Sequence, residues 1–130
     1  MHTNRRIRVL VTGATGFLGS NILKALRAQH DLEPVAACRR PEKLPAGFSG
    51  EIRAGDLLDP SYRRAVVEDI DVVCHAGTWA SMWNHAALER ERFYQPARDL
   101  VDQAVAHGVK RFIQASTVAI AAVTRNGHPI

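Results

Sequence analysis

The chain is poor in most features that would assign it quickly. It has two cysteines, Cys38 and Cys74, both in apolar stretches, so a disulfide framework is excluded and a reducing, cytoplasmic setting is expected. Its longest apolar stretches, such as Val118 to Val123, fall far short of the roughly 20 residues that a membrane span needs. The basic start, Met1-His-Thr-Asn-Arg-Arg, leads to an apolar run that meets Thr12-Gly13 almost at once, which is not the pattern of a signal peptide. Basic residues never exceed two in a row and no dense basic run is interleaved with aromatics. The net charge of +4 therefore reads as a solvated mixed surface, and no nucleic-acid partner is expected. There is no repeat and no low-complexity tract.

What remains is ordinary globular composition, 46% hydrophobic and 23% charged, in 130 residues, enough for one compact domain. Ile7–Thr12 is a β-branched and aliphatic run that ends on Gly13 and predicts a buried strand. Leu18, Ile22, Leu23 and Leu26 then recur at helical spacing. Further strands are predicted at Pro34–Cys38, Glu51–Gly55, Asp71–His75 and Lys110–Ser116. Between Arg39 and Gly50, two prolines and two glycines predict mainly loop, with at most one helical turn. Asp59-Pro60 is a helix start, with Asp as N-cap and Pro at the first position. A long helical pattern from about His85 to His107 contains Pro96, which predicts a kink or break, and Gly108 closes it. Strands alternating with helices predict an α/β, doubly wound, mainly parallel sheet of Rossmann-like order 3-2-1-4-5. In such a sheet ligands bind at the carboxyl ends of the strands.

The sharpest motif stands at the first of those ends, Thr12-Gly13-Ala14-Thr15-Gly16-Phe17-Leu18-Gly19. Gly13 allows the tight turn, Gly16 lets backbone amides approach a pyrophosphate, and Gly19 lets the helix pack close to its strand. The helix start, with Thr15, Phe17 and Leu18, would hold the negative charge on unpaired N–H groups. No Gly-Lys-Ser/Thr follows, so a triphosphate loop is excluded. At the end of the second predicted strand, Arg39 and Arg40 stand where an acid would take a free ribose 2′-hydroxyl. Cations there favour a 2′-phosphate, hence NADP with NAD as the alternative. The other reading of the pair is one surface arginine and one stacked on adenine. Asp56 and Leu57 would meet the adenine amino group and ring, or Asp56 serves only a turn. His75-Ala76-Gly77 leaves space for cofactor beside the glycine loop, with His75 equally readable as a structural histidine. Cys74 beside it has no partner ligands at metal-binding spacing. Trp79, Met82 and Trp83 are expected either to line the nicotinamide and substrate side or to pack against the region beyond these residues or the long helix.

In this order, these elements closely resemble the extended short-chain dehydrogenase/reductase family, also called the NAD-dependent epimerase/dehydratase family. The resemblance covers essentially the whole chain and rests on Thr12 to Gly19, Gly55-Asp56-Leu57-Leu58-Asp59, Cys74 to Gly77, and Gly108-Val-Lys-Arg-Phe-Ile followed by Ser116-Thr117. It implies that residues 1–130 are the NAD(P)-binding N-terminal part of an oxidoreductase or epimerase. Such an enzyme moves hydride between nicotinamide and a small-molecule carbonyl or hydroxyl substrate. It also implies that Thr117 hydrogen-bonds the substrate oxygen undergoing redox change, with Ser116 the preceding member of the pair.

Two departures are plain. The family's asparagine early in the fourth helix is replaced by the neighbourhood Phe93-Tyr-Gln-Pro-Ala-Arg98. Its catalytic Tyr-x-x-x-Lys is also absent, since neither Tyr62 nor Tyr94 has Lys four residues on. The expectation is a chain truncated before the later strands, with the fifth strand as a bare edge that favours aggregation or a homodimer. The alternatives are a dinucleotide-binding sensor without chemistry of its own, and an interaction protein that has kept the Rossmann shape and lost its ligand.

Overall fold

The computed structural model describes residues 4–77 and 86–116. Its elements are β1 (Ile7–Thr12), α1 (Phe17–Arg27), β2 (Leu32–Cys38), β3 (Glu51–Ala54), α2 (Pro60–Val66), β4 (Val72–His75), α3 (Ala86–Glu89), α4 (Gln95–Ala106) and β5 (Arg111–Gln114). A single 3₁₀ turn, Pro41–Lys43, interrupts the loop after β2. All the strands pair in parallel, in the order β3-β2-β1-β4-β5. The chain therefore winds outward from β1 to β3, returns past β1, and winds the other way through β4 and β5. The order reverses between β1 and β4, and in sheets of this kind ligands bind above the carboxyl ends of the strands at that point.

Strand alternation sends apolar side chains to both faces. Leu10, Val35, Ala37 and Val73 pack with Val66, Val67, Ile70, Leu100 and Ala104, under α2 and α4. Val9, Val11, Ala36 and Cys38 pack with Ala14 and Leu23, under α1. Arg63 ties α2 to its neighbours, its Nε donating to Asp99 Oδ2 (2.5 Å) and its Nη1 to the Leu57 carbonyl (2.6 Å).

Helix boundaries follow their local chemistry. The Asp59 carboxylate accepts the Ser61 N–H and Pro60 occupies the first position of α2. Gly108, at φ +76°, closes α4 with the Val109 N–H on the Ala104 carbonyl and its own N–H on the Val105 carbonyl. The break expected at Pro96 takes a specific form: Arg90–Tyr94 are wound as a π-helix immediately before α4. A proline ring crowds the carbonyl four residues back and offers it no N–H, and a widened turn relieves both. β2 begins two residues earlier than expected and so includes Glu33. That residue lies at the amino end of the strand, the opposite end from Arg39 and Arg40, and accepts from Arg8 (3.1 Å).

Leu100 is fully buried between α4 and the sheet. Leu100→Ala should cost about 2–5 kcal/mol of unfolding free energy, read from urea denaturation; an unchanged midpoint would contradict this packing.

Candidate dinucleotide site

The glycine loop is held by backbone approaches that leave no room for side chains. Gly13 has φ +60°, and a Cβ there would lie 2.7 Å from the Gly77 Cα and N. A Cβ on Gly19 would lie 2.0 Å from the Gly13 carbonyl oxygen, so the first turn of α1 sits directly on the loop that precedes it. Gly16 is less confined, its added Cβ meeting only the Gly13 oxygen at 3.3 Å, and its φ of −78° is open to any residue. The turn and packing roles predicted for Gly13 and Gly19 are thus visible in the backbone, whereas at Gly16 the protein itself demands little. Among the described residues no side chain caps the start of α1, and no acid stands in its first turn. Its leading N–H groups are therefore left for an external acceptor, as the pyrophosphate of a dinucleotide would require. Phe17 projects into solvent from this turn, 89% exposed, with Leu18 half-exposed beside it.

Behind the loop, Thr12 and His75 are register partners on adjacent strands, both buried. The Thr12 Oγ1 lies 2.6 Å from His75 Nδ1 and accepts the Gly77 N–H at 3.1 Å. Burial holds His75 neutral, pushed down to about 4. With Oγ1 accepting from Gly77, the hydroxyl proton pairs when it points to Nδ1, which places the ring proton on Nε2. The ring also packs against Phe112 of β5 (centroids 6.0 Å apart). His75 therefore joins β1, β4, β5 and the Gly77 turn, and the structural reading of this residue fits its surroundings. Thr12, which sequence reasoning passed over as a site residue, is the hub. Its signal was its position facing a histidine across two predicted parallel strands, each ending in a glycine turn.

The other expected residues reach the same edge. Arg39 and Arg40 follow β2, exposed, with no carboxylate partner among the described residues. The Ala14 N–H donates to the Ala37 carbonyl (3.4 Å), bringing the end of β2 against the glycine loop. Asp56 Oδ1 accepts the Leu58 N–H (2.9 Å), so the turn role is present, and half-buried Leu57 packs on the core beneath α2. Ala76 is half-buried beside Gly77, and Ser116 is exposed after β5. Thr117, Trp79, Met82 and Trp83 lie outside the described residues. Among those residues, no group of His, Cys, Asp and Glu is placed to hold a metal ion, and no helix is long and apolar enough to cross a membrane.

A family model described as "NAD dependent epimerase/dehydratase family" matches residues 9–129. The chain belongs to that family. A hybrid PKS-NRPS synthetase of Penicillium oxalicum is 32% identical over 95% of the chain, which spans 3% of the synthetase. UDP-glucose 4-epimerase of Vibrio cholerae is 28% identical over 86% of the chain, which spans 35% of the epimerase. A short-chain dehydrogenase/reductase superfamily protein from Agrobacterium tumefaciens, solved with bound NAD, superimposes with a TM-score of 0.74 at 29% identity. That superposition covers 87% of this chain and 33% of the other. The expected fold and family both stand, and the chain covers about a third or less of these relatives.

Two outcomes test this geometry. Gly19→Ala should lose about 2 kcal/mol or more of stability together with dinucleotide binding, by urea denaturation and NADPH fluorescence, because backbone cannot yield as a flexible side chain does. Wild-type values in both would contradict the contact. Because the folded pKa of His75 lies below its ordinary value, its contribution is complete above about pH 6.5 and is lost as pH falls toward 4. Between pH 7.5 and 4.5 the protein should lose about 2–3 kcal/mol more than His75→Asn does. Equal losses would show that the ring is not held neutral.

Proposed function

We propose that residues 1–130 form the cofactor-binding part of an NADP-dependent oxidoreductase or epimerase acting on a small-molecule carbonyl or hydroxyl. The observation that carries the reading is the uncapped start of α1 standing on a glycine turn into which no Cβ fits. The residues present fit the group: the first-turn amides take the pyrophosphate, Arg39 and Arg40 a 2′-phosphate, and Asp56 with Leu57 the adenine. When bound, the nicotinamide supplies or accepts hydride. The chain's own work is to bind and orient. The Thr12–His75–Gly77 bonds fix the back wall of the site, Ser116 follows β5 at the carboxyl end of the sheet, and Thr117 is the next residue in the sequence. Thr117 would hydrogen-bond the substrate oxygen. A threonine does not donate a proton unaided at neutral pH, so the general acid is expected from a Tyr-x-x-x-Lys outside these residues.

Support for NADP over NAD is the pair of exposed cations after β2 and the placement of Glu33 at the strand's far end. The outer edge of β5 carries half-exposed Ile113 and has no further strand among the described residues. Self-association through that edge belongs to the same reading, as does a reducing, cytoplasmic setting for the free thiols of Cys38 and Cys74.

Replacing Arg39 and Arg40 together with Ala should weaken NADPH about tenfold or more while leaving NADH within about twofold, by fluorescence titration, since charge-assisted pairs to phosphate are lost only with the former. Equal losses would refute the 2′-phosphate role. Failure of the wild-type chain to bind either dinucleotide would favour the interaction-protein reading instead.

A further inference from the structure

At the opposite, amino end of the sheet, a groove of about 470 Å³ is lined by Arg5, Arg6, Ile7, Asp71, Val72, Lys110 and Arg111. The cations come in two sequence pairs, one just ahead of β1 and one at the start of β5, with the start of β4 between them. Two inter-strand spacings separate the pairs, roughly 10 Å. Val72 pairs with Val9 on one side and Arg111 on the other, so the apolar floor of Val72 and half-exposed Ile7 lies between the charges.

The acid in the groove is already spent. Asp71 accepts Arg5 Nη2 on Oδ1 (2.6 Å) and the Arg8 N–H on Oδ2 (2.9 Å). Asp69 takes the other arm of Arg5 (3.4 Å), while Arg8 is bonded to Glu33 and Glu51. Among the described residues Arg6 donates only to the Leu32 carbonyl (2.5 Å). Arg6, Lys110 and Arg111 have no carboxylate within ion-pair distance among the described residues. Residues 1–3, 78–85 and 117–130 contain no Asp or Glu, and Glu89 is the one acid whose side chain lies outside the described set. Among the described residues the groove therefore carries an excess of positive charge.

We propose that this groove docks an acidic segment of a partner protein, lying extended across β1, β4 and β5 with an apolar residue over Ile7 and Val72. Carboxylates four residues apart on an extended chain share a face and stand roughly 13 Å apart, within reach of both pairs of long cationic side chains, and the residue midway between them faces the apolar floor. The volume suits a few side chains rather than a single ion. A nucleic acid fits less well, because among the described residues no aromatic ring lines the groove to stack a base. The site lies at the far end of the strands from the glycine loop, so its occupant and a dinucleotide bind without competing.

The test uses a fluorescein-labelled peptide of repeated Glu-Thr-Leu-Thr, which puts Glu and Leu on one face of an extended chain, and its Gln-Thr-Leu-Thr counterpart, read by anisotropy at low and physiological salt. The wild-type chain should bind the Glu peptide, more weakly as salt rises, and not the Gln peptide. K110E/R111E should weaken binding about tenfold, whereas the charge-matched R64E/R98E, on exposed positions of α2 and α4, should change it less than about twofold. Circular dichroism melts of both variants should match wild type, since neither pair is buried. The proposal is overturned if the wild type does not bind, if both double variants weaken alike, or if a single-stranded oligonucleotide displaces the peptide at lower concentration than unlabelled peptide does. Dinucleotide affinity measured in the same samples keeps the two sites separate: its loss would touch the function proposed above and leave this inference standing.

Discussion

The structure depends on three backbones touching where side chains would normally keep them apart. Gly19 rests on the Gly13 carbonyl, and Gly13 rests on Gly77, so α1, β1 and the turn after β4 meet without an intervening Cβ. Glycine costs about 0.5–1 kcal/mol relative to alanine inside a helix or strand, and Gly19 lies in the first turn of α1. That cost is offset by what the contact allows: a helix whose first amides open directly onto the point where strand order reverses. Everything assigned to the site follows from that placement, because a pyrophosphate can reach amide hydrogens only where nothing stands in front of them.

The two ends of the sheet divide the chemistry. At the carboxyl end the polar groups are few and either buried and paired, as in Thr12 and His75, or exposed and uncommitted, as in Arg39 and Arg40. At the amino end, Arg5, Arg8, Arg53, Glu33, Glu51, Asp69 and Asp71 form a continuous ionic network across β1, β2, β3 and the turn before β4. Arg53 extends it to the end of α2 through the Val66 and Glu68 carbonyls. Asp69, at φ +56°, turns the chain so that its carbonyl accepts Arg8. Opposite demands are met by one set of strands, with the apolar middle of each insulating one end from the other.

Much of this was legible in the sequence, for identifiable reasons. β1 and β4 are apolar runs ended by glycine turns, and a fully buried parallel strand has no other pattern to show. The Asp59-Pro60 start and the Gly108 stop rest on local capping, which needs no tertiary partner. The glycine roles at positions 13 and 19 were readable because steric demands on a turn are local too. The π-helix before Pro96 was not, since a proline announces that regular winding must fail but not how. The Thr12 hub was hidden as well: its bond to His75 depends on parallel register over a separation of 63 residues, and only the assembled sheet sets that register. For Asp56 the sequence left ligand and turn roles open and for Leu57 it suggested only cover for the adenine; in the fold Asp56 accepts the Leu58 N–H and Leu57 packs on the core.

The central claim is that the exposed amides at the start of α1 receive a diphosphate. The most direct measurement is a ¹⁵N-resolved NMR titration of the chain with NADPH. Binding there should give the largest amide shifts at Thr15, Gly16, Phe17 and Leu18, with smaller ones at Arg39, Arg40 and Gly77. Shifts confined to other residues, or none at saturating dinucleotide in a folded sample, would contradict it.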